Sequence, residues 1–257
     1  MELLRIEAIS KNFGGVAAVA DFSLSQDDAE ISAIIGPNGA GKTTTFNLIS
    51  GVQEVDKGQL HFAGTNITRF PSHKIQALGV SRTFQNIRLF DGLSVIDNVK
   101  IAYTSQLGYR VFDELLSTPR VRREEKLIEE RAREQLSFLG LEAHAEQKPK
   151  NLAYGLRRRL ELARALMSAP KLLLLDEPAA GLNPAEIREL MKTIEHIHRE
   201  RKLSVIVVEH HMELVMNICS RIHVMDFGRK IAEGTPQEIT RNEKVLQAYL
   251  GDMGEVC

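Results

Sequence analysis

Short apolar runs broken by glycine turns fill the first third of the chain, and the spacing of apolar positions then lengthens from that of strands to that of helices. LLRIEAI, FSLS, ISAII and GQLHF, all before about residue 85, predict short strands of a core with an antiparallel edge. From about 86 to 160 the pattern is mostly helical. In VRREEKLIEERAREQLSFLGL, the positions Val121, Ile128, Ala132, Leu136 and Leu139 fall near one face with charges around the rest, an amphipathic helix whose stripe packs inside a helical lobe. From about 161 to 235, LLLLD, SVIVVEH and RIHVMDFG alternate with helical stretches, which predicts parallel strands joined by helices. Two helix starts are legible in detail. Asn183-Pro184 with Glu186, and Thr235-Pro236 with Glu238, each place a cap residue before a first-turn proline and a carboxylate at the third helical position. The second opens a C-terminal helix expected over about 236–249, within a last segment of 236–257.

Composition limits the class. A chain of 257 residues that is 43% hydrophobic is long enough for a large α/β core with a smaller inserted lobe. Its formal net charge of −1 gives no reason to expect nucleic acid as a partner. Two cysteines, Cys219 and Cys257, indicate neither a disulfide framework nor a metal cluster. The start, MELLRIEAISKNF, lacks a basic region followed by a long apolar core, so no signal peptide is expected. No stretch approaches the roughly 20 apolar residues needed to cross a bilayer, so action at a membrane requires a membrane part supplied by another chain.

The candidate chemistry is concentrated in two segments. GPNGAGKTT, covering Gly36, Pro37, Asn38, Gly39, Ala40, Gly41, Lys42, Thr43 and Thr44, follows the apolar run ISAII and satisfies the phosphate-loop spacing G-x-x-x-x-G-K-[ST]. Its glycines let consecutive N–H groups turn toward phosphate oxygens, Lys42 reaches the β and γ phosphates, and Thr43 offers a hydroxyl to Mg²⁺. The helix that starts there presents its positive end to the anion. KLLLLDEP, from Lys171 to Pro178, has the form of a strand buried on both faces whose carboxyl end carries two acids. Asp176 is placed to hold Mg²⁺ and Glu177 to polarise the water that attacks the γ phosphate. A guanine-specific N-K-x-D motif is missing, which weighs against a GTPase.

With the order of these motifs in view, the chain resembles, from end to end, the ATP-binding subunit of an ABC transporter. Phe13 in KNFGG matches the aromatic that stacks on adenine in that family, and Gln85 in SRTFQNIRLF matches the glutamine that reaches the metal and attacking water. NLAYGL, from Asn151 to Leu156, stands at the family signature, AGLN at its D-loop, and His210 in VVEHHM at the switch histidine. Taken singly, Phe13 is equally a packing aromatic, Gln85 a solvated loop residue and His210 a polar strand end. The resemblance implies an α/β P-loop NTPase (RecA-like) core with a parallel sheet over 1–85 and 161–235. An antiparallel β edge subdomain and an inserted α-helical subdomain at 86–160 complete it. ATP and Mg²⁺ are the implied cofactors. Two such subunits, identical or different, would meet head to tail, so that Ala153 and Gly155 of one complete the ATP site of the other. They would sit peripherally on the cytoplasmic face of the plasma membrane, against separately encoded integral membrane permease subunits, with a solute-binding protein acting indirectly.

The signature narrows the resemblance further. Most members read L-S-G-G-Q where this chain has Leu152, Ala153, Tyr154, Gly155 and Leu156, and the LAYG form, with TFQNIRLF and FNLISG, is similar to subunits serving branched-chain amino-acid importers. Leu156, His211 and Asn183 depart from common family residues, and Ala153 has no hydroxyl to give, which leaves the Gly155 amide and the following helix end as donors. Urea or amide import, lipid export and a soluble ABC role are rivals. A single module argues against the translation type, and the lack of a long coiled coil against the repair type. After Gln85, the cluster Ile87, Leu89, Phe90, Leu93, Val95 and Ile96 reads either as lobe core or as a groove for a short helix of the membrane partner.

Overall fold

The computed structural model describes residues 1–106 and 119–251. The strands are β1 (Glu2–Phe13), β2 (Val16–Asp27), β3 (Ile31–Ile35), β4 (Lys57–Phe62), β5 (Thr65–Asn66), β6 (Val80–Arg82), β7 (Leu172–Asp176), β8 (Ser204–Val208), β9 (Arg221–Asp226) and β10 (Arg229–Gly234). The α-helices are α1 (Lys42–Ile49), α2 (Ser72–Ala77), α3 (Val95–Lys100), α4 (Pro119–Phe138), α5 (Tyr154–Leu166), α6 (Pro184–Arg201), α7 (Met212–Ile218), α8 (Pro236–Thr240) and α9 (Glu243–Gly251). Two compact units result, one of residues 1–85 with the chain from 171 onward, the other of residues 86–170. The boundary expected at 160 falls inside α5, which runs unbroken to Leu166 and belongs whole to the second unit.

In the first unit, β2-β1-β4-β5 form a four-stranded antiparallel sheet and β10-β9-β3-β8-β7-β6 a six-stranded one. The second sheet is parallel from β9 to β6, with β10 added antiparallel at one edge. All residues of β3, β7 and β8 are buried, which explains why their sequences are near-continuous apolar runs, broken only by Ser32, Asp176 and Ser204, rather than alternating ones. β1 mixes buried and exposed positions instead: Leu4, Ile6 and Ile9 join Phe22 and Leu24 of β2 and Phe46 and Leu48 of α1 in a common core, while Arg5, Glu7 and Ala8 are exposed. Both predicted capping boxes are present. Asn183 accepts from Ala185 and Glu186 at the start of α6, and Thr235 accepts from Glu238 at the start of α8, with each glutamate returning a bond to its cap residue's N–H. The helix expected over 236–249 is two helices. Asn242 stops the first and caps the second, its Oδ1 accepting from the N–H of Lys244 at 3.0 Å and of Val245 at 3.4 Å.

In the second unit, Ile128, Ala132, Leu136 and Leu139 are buried as their spacing predicts, while the side chain of Val121 lies outside the described residues. The segment after Gln85 divides as its sequence allowed. Val95 and Ile96 are core, Ile87, Leu89 and Leu93 are half-buried, and Phe90 is 48% exposed. The fully buried Asn98 grips the Phe90 backbone from both sides, accepting from its N–H at 2.8 Å and donating to its carbonyl at 3.0 Å. The Arg164 guanidinium lies 5.2 Å from the Phe90 ring centre and donates to the Arg88 carbonyl. No described helix is long and apolar enough to cross a membrane.

Candidate functional site

The chain leaves β3 at Ile35 and enters α1 at Lys42 through a loop that only glycine can build at two points. A Cβ on Gly36 would lie 2.0 Å from the carbonyl oxygen of Met225, and one on Gly41 2.3 Å from that of Ala18. Gly41 also holds φ at +99°, in the left-handed region where a side chain is strained. α1 begins with no side-chain cap and no acid in its first turn, so its first N–H groups are left for another acceptor. Asn38, Gly39 and Thr43 are exposed, Pro37 and Thr44 half-buried, and Ala40 buried, with its carbonyl accepting from Gly228 N–H at 3.0 Å.

Lys42 is folded back onto the loop, donating from Nζ to the carbonyls of Gly36 at 2.7 Å and Pro37 at 2.8 Å. Burial pushes its ammonium pKa below the ordinary lysine value, and the charges of Glu177 and Asp176 pull it back up. Removing a cation from water is costly, so a lysine held here is poised to gain from an added anion.

The other side of the site comes from the carboxyl ends of β6, β7 and β8, where ligands of parallel sheets collect. Glu177 sits just past β7 with φ of +47°, uncommon for a residue with a side chain, and its N–H donates to the Val208 carbonyl at 2.8 Å. Gln85 donates from Nε2 to Glu177 Oε2 at 2.7 Å, and His210 Nδ1 lies 3.9 Å from the same oxygen. His211 lies beside His210, ring centres 4.4 Å apart, with Nδ1 at 3.1 Å from Glu209 Oε2, an oxygen that His210 Nδ1 approaches to 3.8 Å. Asp176 is buried and accepts from Arg82 at 2.7 Å.

Two residues of this constellation have no counterpart among the sequence-predicted ones. Arg82 pairs with Asp176, and Glu209, fully buried, accepts from the N–H of Ala179 at 2.7 Å, of His210 at 2.8 Å and of His211 at 3.0 Å. The available signal was a lone charge at the end of an apolar strand, in VSR and in SVIVVE. Among the predicted residues, the loop from Gly36 to Thr44 and the cluster of Gln85, Asp176, Glu177 and His210 belong to the first unit. Phe13 is also there, ending β1 opposite Val16, with its ring half exposed and Lys11 Nζ 5.8 Å above it. Ala153 and Gly155 belong to the second unit. Ala153 is the cap of α5 without a side-chain bond, and the first turn of that helix holds no acid.

The donor set fits a magnesium nucleotide. Thr43 and Asp176 offer the hard oxygens that Mg²⁺ prefers, and the uncapped, acid-free first turn of α1 beside Lys42 offers donors to an anion. The sequence matches the family described as ABC transporter over residues 19–180, and a family described as Branched-chain amino acid ATP-binding cassette transporter over residues 229–255. The high-affinity branched-chain amino acid transport ATP-binding protein LivG of Escherichia coli (strain K12) is 42% identical over 250 residues, 97% of this chain and 98% of its own length. The lipopolysaccharide export system ATP-binding protein LptB of the same organism is 34% identical over 252 residues, 98% of each chain. The crystal structure of the ADP conformation of MJ1267, an ATP-binding cassette of an ABC transporter, superposes with a TM-score of 0.85 at 30% identity, covering 98% of this chain and 99% of that one. A phosphate loop, two strand-end acids and a near-full-length likeness of this kind converge on one assignment: the chain belongs to the family of ABC transporter ATP-binding proteins.

Proposed function

We propose that this ABC ATPase powers an importer for branched-chain amino acids, working as a dimer on separate membrane permease subunits at the cytoplasmic face of the plasma membrane. The observation that carries the hydrolytic part is the convergence of Gln85 and His210 on one oxygen of Glu177, beside a buried lysine and a phosphate loop. The branched-chain assignment is supported by the family match over residues 229–255 and by the likeness to LivG, which exceeds that to LptB.

In this reading the N–H groups of residues 36–44 and the Lys42 ammonium hold the β and γ phosphates of ATP, and Phe13 stacks on the adenine. Thr43, Asp176 and Gln85 hold Mg²⁺. When bound, that ion would supply charge neutralisation at the triphosphate. Glu177 orients and deprotonates the attacking water, Gln85 fixes the Glu177 carboxylate, and His210 donates to the γ phosphate. Ala153 and Gly155 face the nucleotide of the partner subunit through the Gly155 amide and the start of α5. Uptake of labelled leucine, isoleucine and valine, compared with urea, in a strain lacking this subunit tests the proposal. Loss of uptake of the three amino acids with urea uptake intact supports it; normal amino-acid uptake refutes the substrate assignment.

A further inference from the structure

Arg82 ends β6 three residues before Gln85, and its side chain is buried within a strand of otherwise small and apolar residues. Its Nη2 donates to Asp176 Oδ2 at 2.7 Å, and its Nη1 donates to Asn47 Oδ1 at 2.7 Å and to Ser50 Oγ at 3.0 Å. The rings of Phe46 and Phe84 stand 5.6 Å and 5.4 Å from the guanidinium carbon. Side-chain exposure is 7% for Arg82 and 4% for Asp176. An arginine keeps its proton at any working pH, so this is a permanent buried cation, tolerated only because its charge is met. What meets it is the carboxylate assigned above to the metal.

We propose that Arg82 is a positioning residue that serves as the resident counter-ion of Asp176 and sets the selectivity of the site for a metal that arrives with a nucleotide. It takes Oδ2 and leaves Oδ1 toward the cation. A bare divalent ion approaching Asp176 meets a fixed positive charge bonded to the same carboxylate, with the Lys42 ammonium electrostatically coupled to it as well. A triphosphate brings several negative charges that outweigh both, so the ion is retained only in its company. The bonds to Asn47 and Ser50 fasten the same guanidinium to α1, the helix that leaves the phosphate loop. The strand leading to Gln85, that helix and β7 therefore share one polar junction. This inference rests on the reading of Asp176 as the metal-side carboxylate.

The test uses the full chain without nucleotide and Mn²⁺ alone as probe, with binding read from the loss of the free-ion signal in electron paramagnetic resonance. Arg82→Met should bind Mn²⁺ at least about tenfold more tightly than wild type, as expected when a unit charge a few ångströms from a divalent ion is removed at an effective dielectric of about 20. Arg82→Lys, which keeps the charge, should stay near wild type. The metal-free Arg82→Met chain should melt lower than wild type and be raised more by Mn²⁺, a response that a purely structural arginine would not produce. Should Arg82→Met fail to fold, Arg82→Gln carries the same expectation. Mn²⁺ affinity that is unchanged or weaker in a folded neutral variant overturns the proposal. Asp176→Asn added to Arg82→Met should abolish the gained binding. Binding that persists there refutes the metal role of Asp176 itself, a failure separate from that of the counter-ion.

Discussion

Replacing Glu209 by glutamine changes one atom in a buried residue that holds the His210 backbone, and it should both loosen the fold and slow turnover. The carboxylate is fully buried, with Oε1 accepting from Ala179 N–H and Oε2 from the N–H groups of His210 and His211. A glutamine has one oxygen for these two groups of donors. Its better placement keeps that oxygen on the two histidine amides and turns the NH₂ against Ala179 N–H, leaving a buried donor unpaired. An orphaned buried donor costs about 1–3 kcal/mol, and the surviving bonds lose their charge assistance. Relief of the buried charge offsets part of this. The net loss is about 2 kcal/mol, which for a chain of this size lowers the melting temperature by about 4–8 °C. Thermal melts should be run without ATP, since bound ligand would mask the difference. Ala179 opens the turn toward Asn183 and His210 faces Glu177, so displacing both should reduce kcat by about 10-fold to 10²-fold while ATP affinity holds. A Glu209→Gln chain that melts within about 1 °C of wild type and turns over normally would refute the reasoning.

Lys42→Ala should remove most ATP binding in a calorimetric titration, because the loop loses the buried ammonium that now turns to its own carbonyls; near-normal affinity would sink that assignment. Glu177→Gln should keep ATP affinity, lower turnover by about 10² to 10⁴ fold, and trap an ATP-bound dimer visible by light scattering. His210→Ala should depress turnover far more than His211→Ala, since His210 Nδ1 comes within 3.9 Å of Glu177 Oε2 as well as near Glu209, while His211 Nδ1 is held by Glu209; equal losses would contradict this. Phe90→Asp should weaken assembly with the permease subunits while the isolated chain still folds and binds ATP, because Asn98 holds the Phe90 backbone and the ring is half exposed. Pull-down with the membrane subunits and fluorescent-ATP binding on the same preparation check both halves.

Legibility in the sequence followed the range of the forces involved. β3, β7 and β8 could be read because burial on both faces favours apolar residues, a constraint written into four of the five positions of each. Both capping boxes were legible because cap and carboxylate are three residues apart. The phosphate loop was legible because Gly36 and Gly41 meet backbone atoms that no Cβ could clear. Arg82 and Glu209 were not, since a single charge at a strand end has the same local signature whether it is solvated or buried. Arg82 pairs with Asp176, 94 residues away, and Glu209 reaches Ala179, 30 residues away, besides its neighbours His210 and His211. The split of the C-terminal helix was hidden for a different reason: Asn242 sits inside an acceptable helical pattern, and its capping bonds show only once the backbone has turned.

The polar groups at this end of the sheet tie neighbouring strands together and not just the site to its ligand. Arg82 links β6 to β7 and α1, Gln85 extends the same strand to Glu177, Glu177 N–H reaches the end of β8, and Glu209 returns from β8 to Ala179. The left-handed backbone at Glu177 is one cost of the arrangement, of order 1 kcal/mol or more for a residue with a side chain. Such strain persists only where surrounding bonds over-determine it, and here Gln85 holds the Glu177 side chain, Val208 its N–H and Ala180 its carbonyl. Groups in one such network act as a unit, so the effects of removing them are not additive. The loss measured at any one of Arg82, Gln85, Glu177 or Glu209 therefore reports the displacement of the others as well as the missing contact. A double-mutant cycle between Gln85 and Glu209 measures that displacement: Gln85 bonds Glu177 and Glu209 bonds Ala179, so coupling between the two reports on the path through Glu177 and the turn at Ala179.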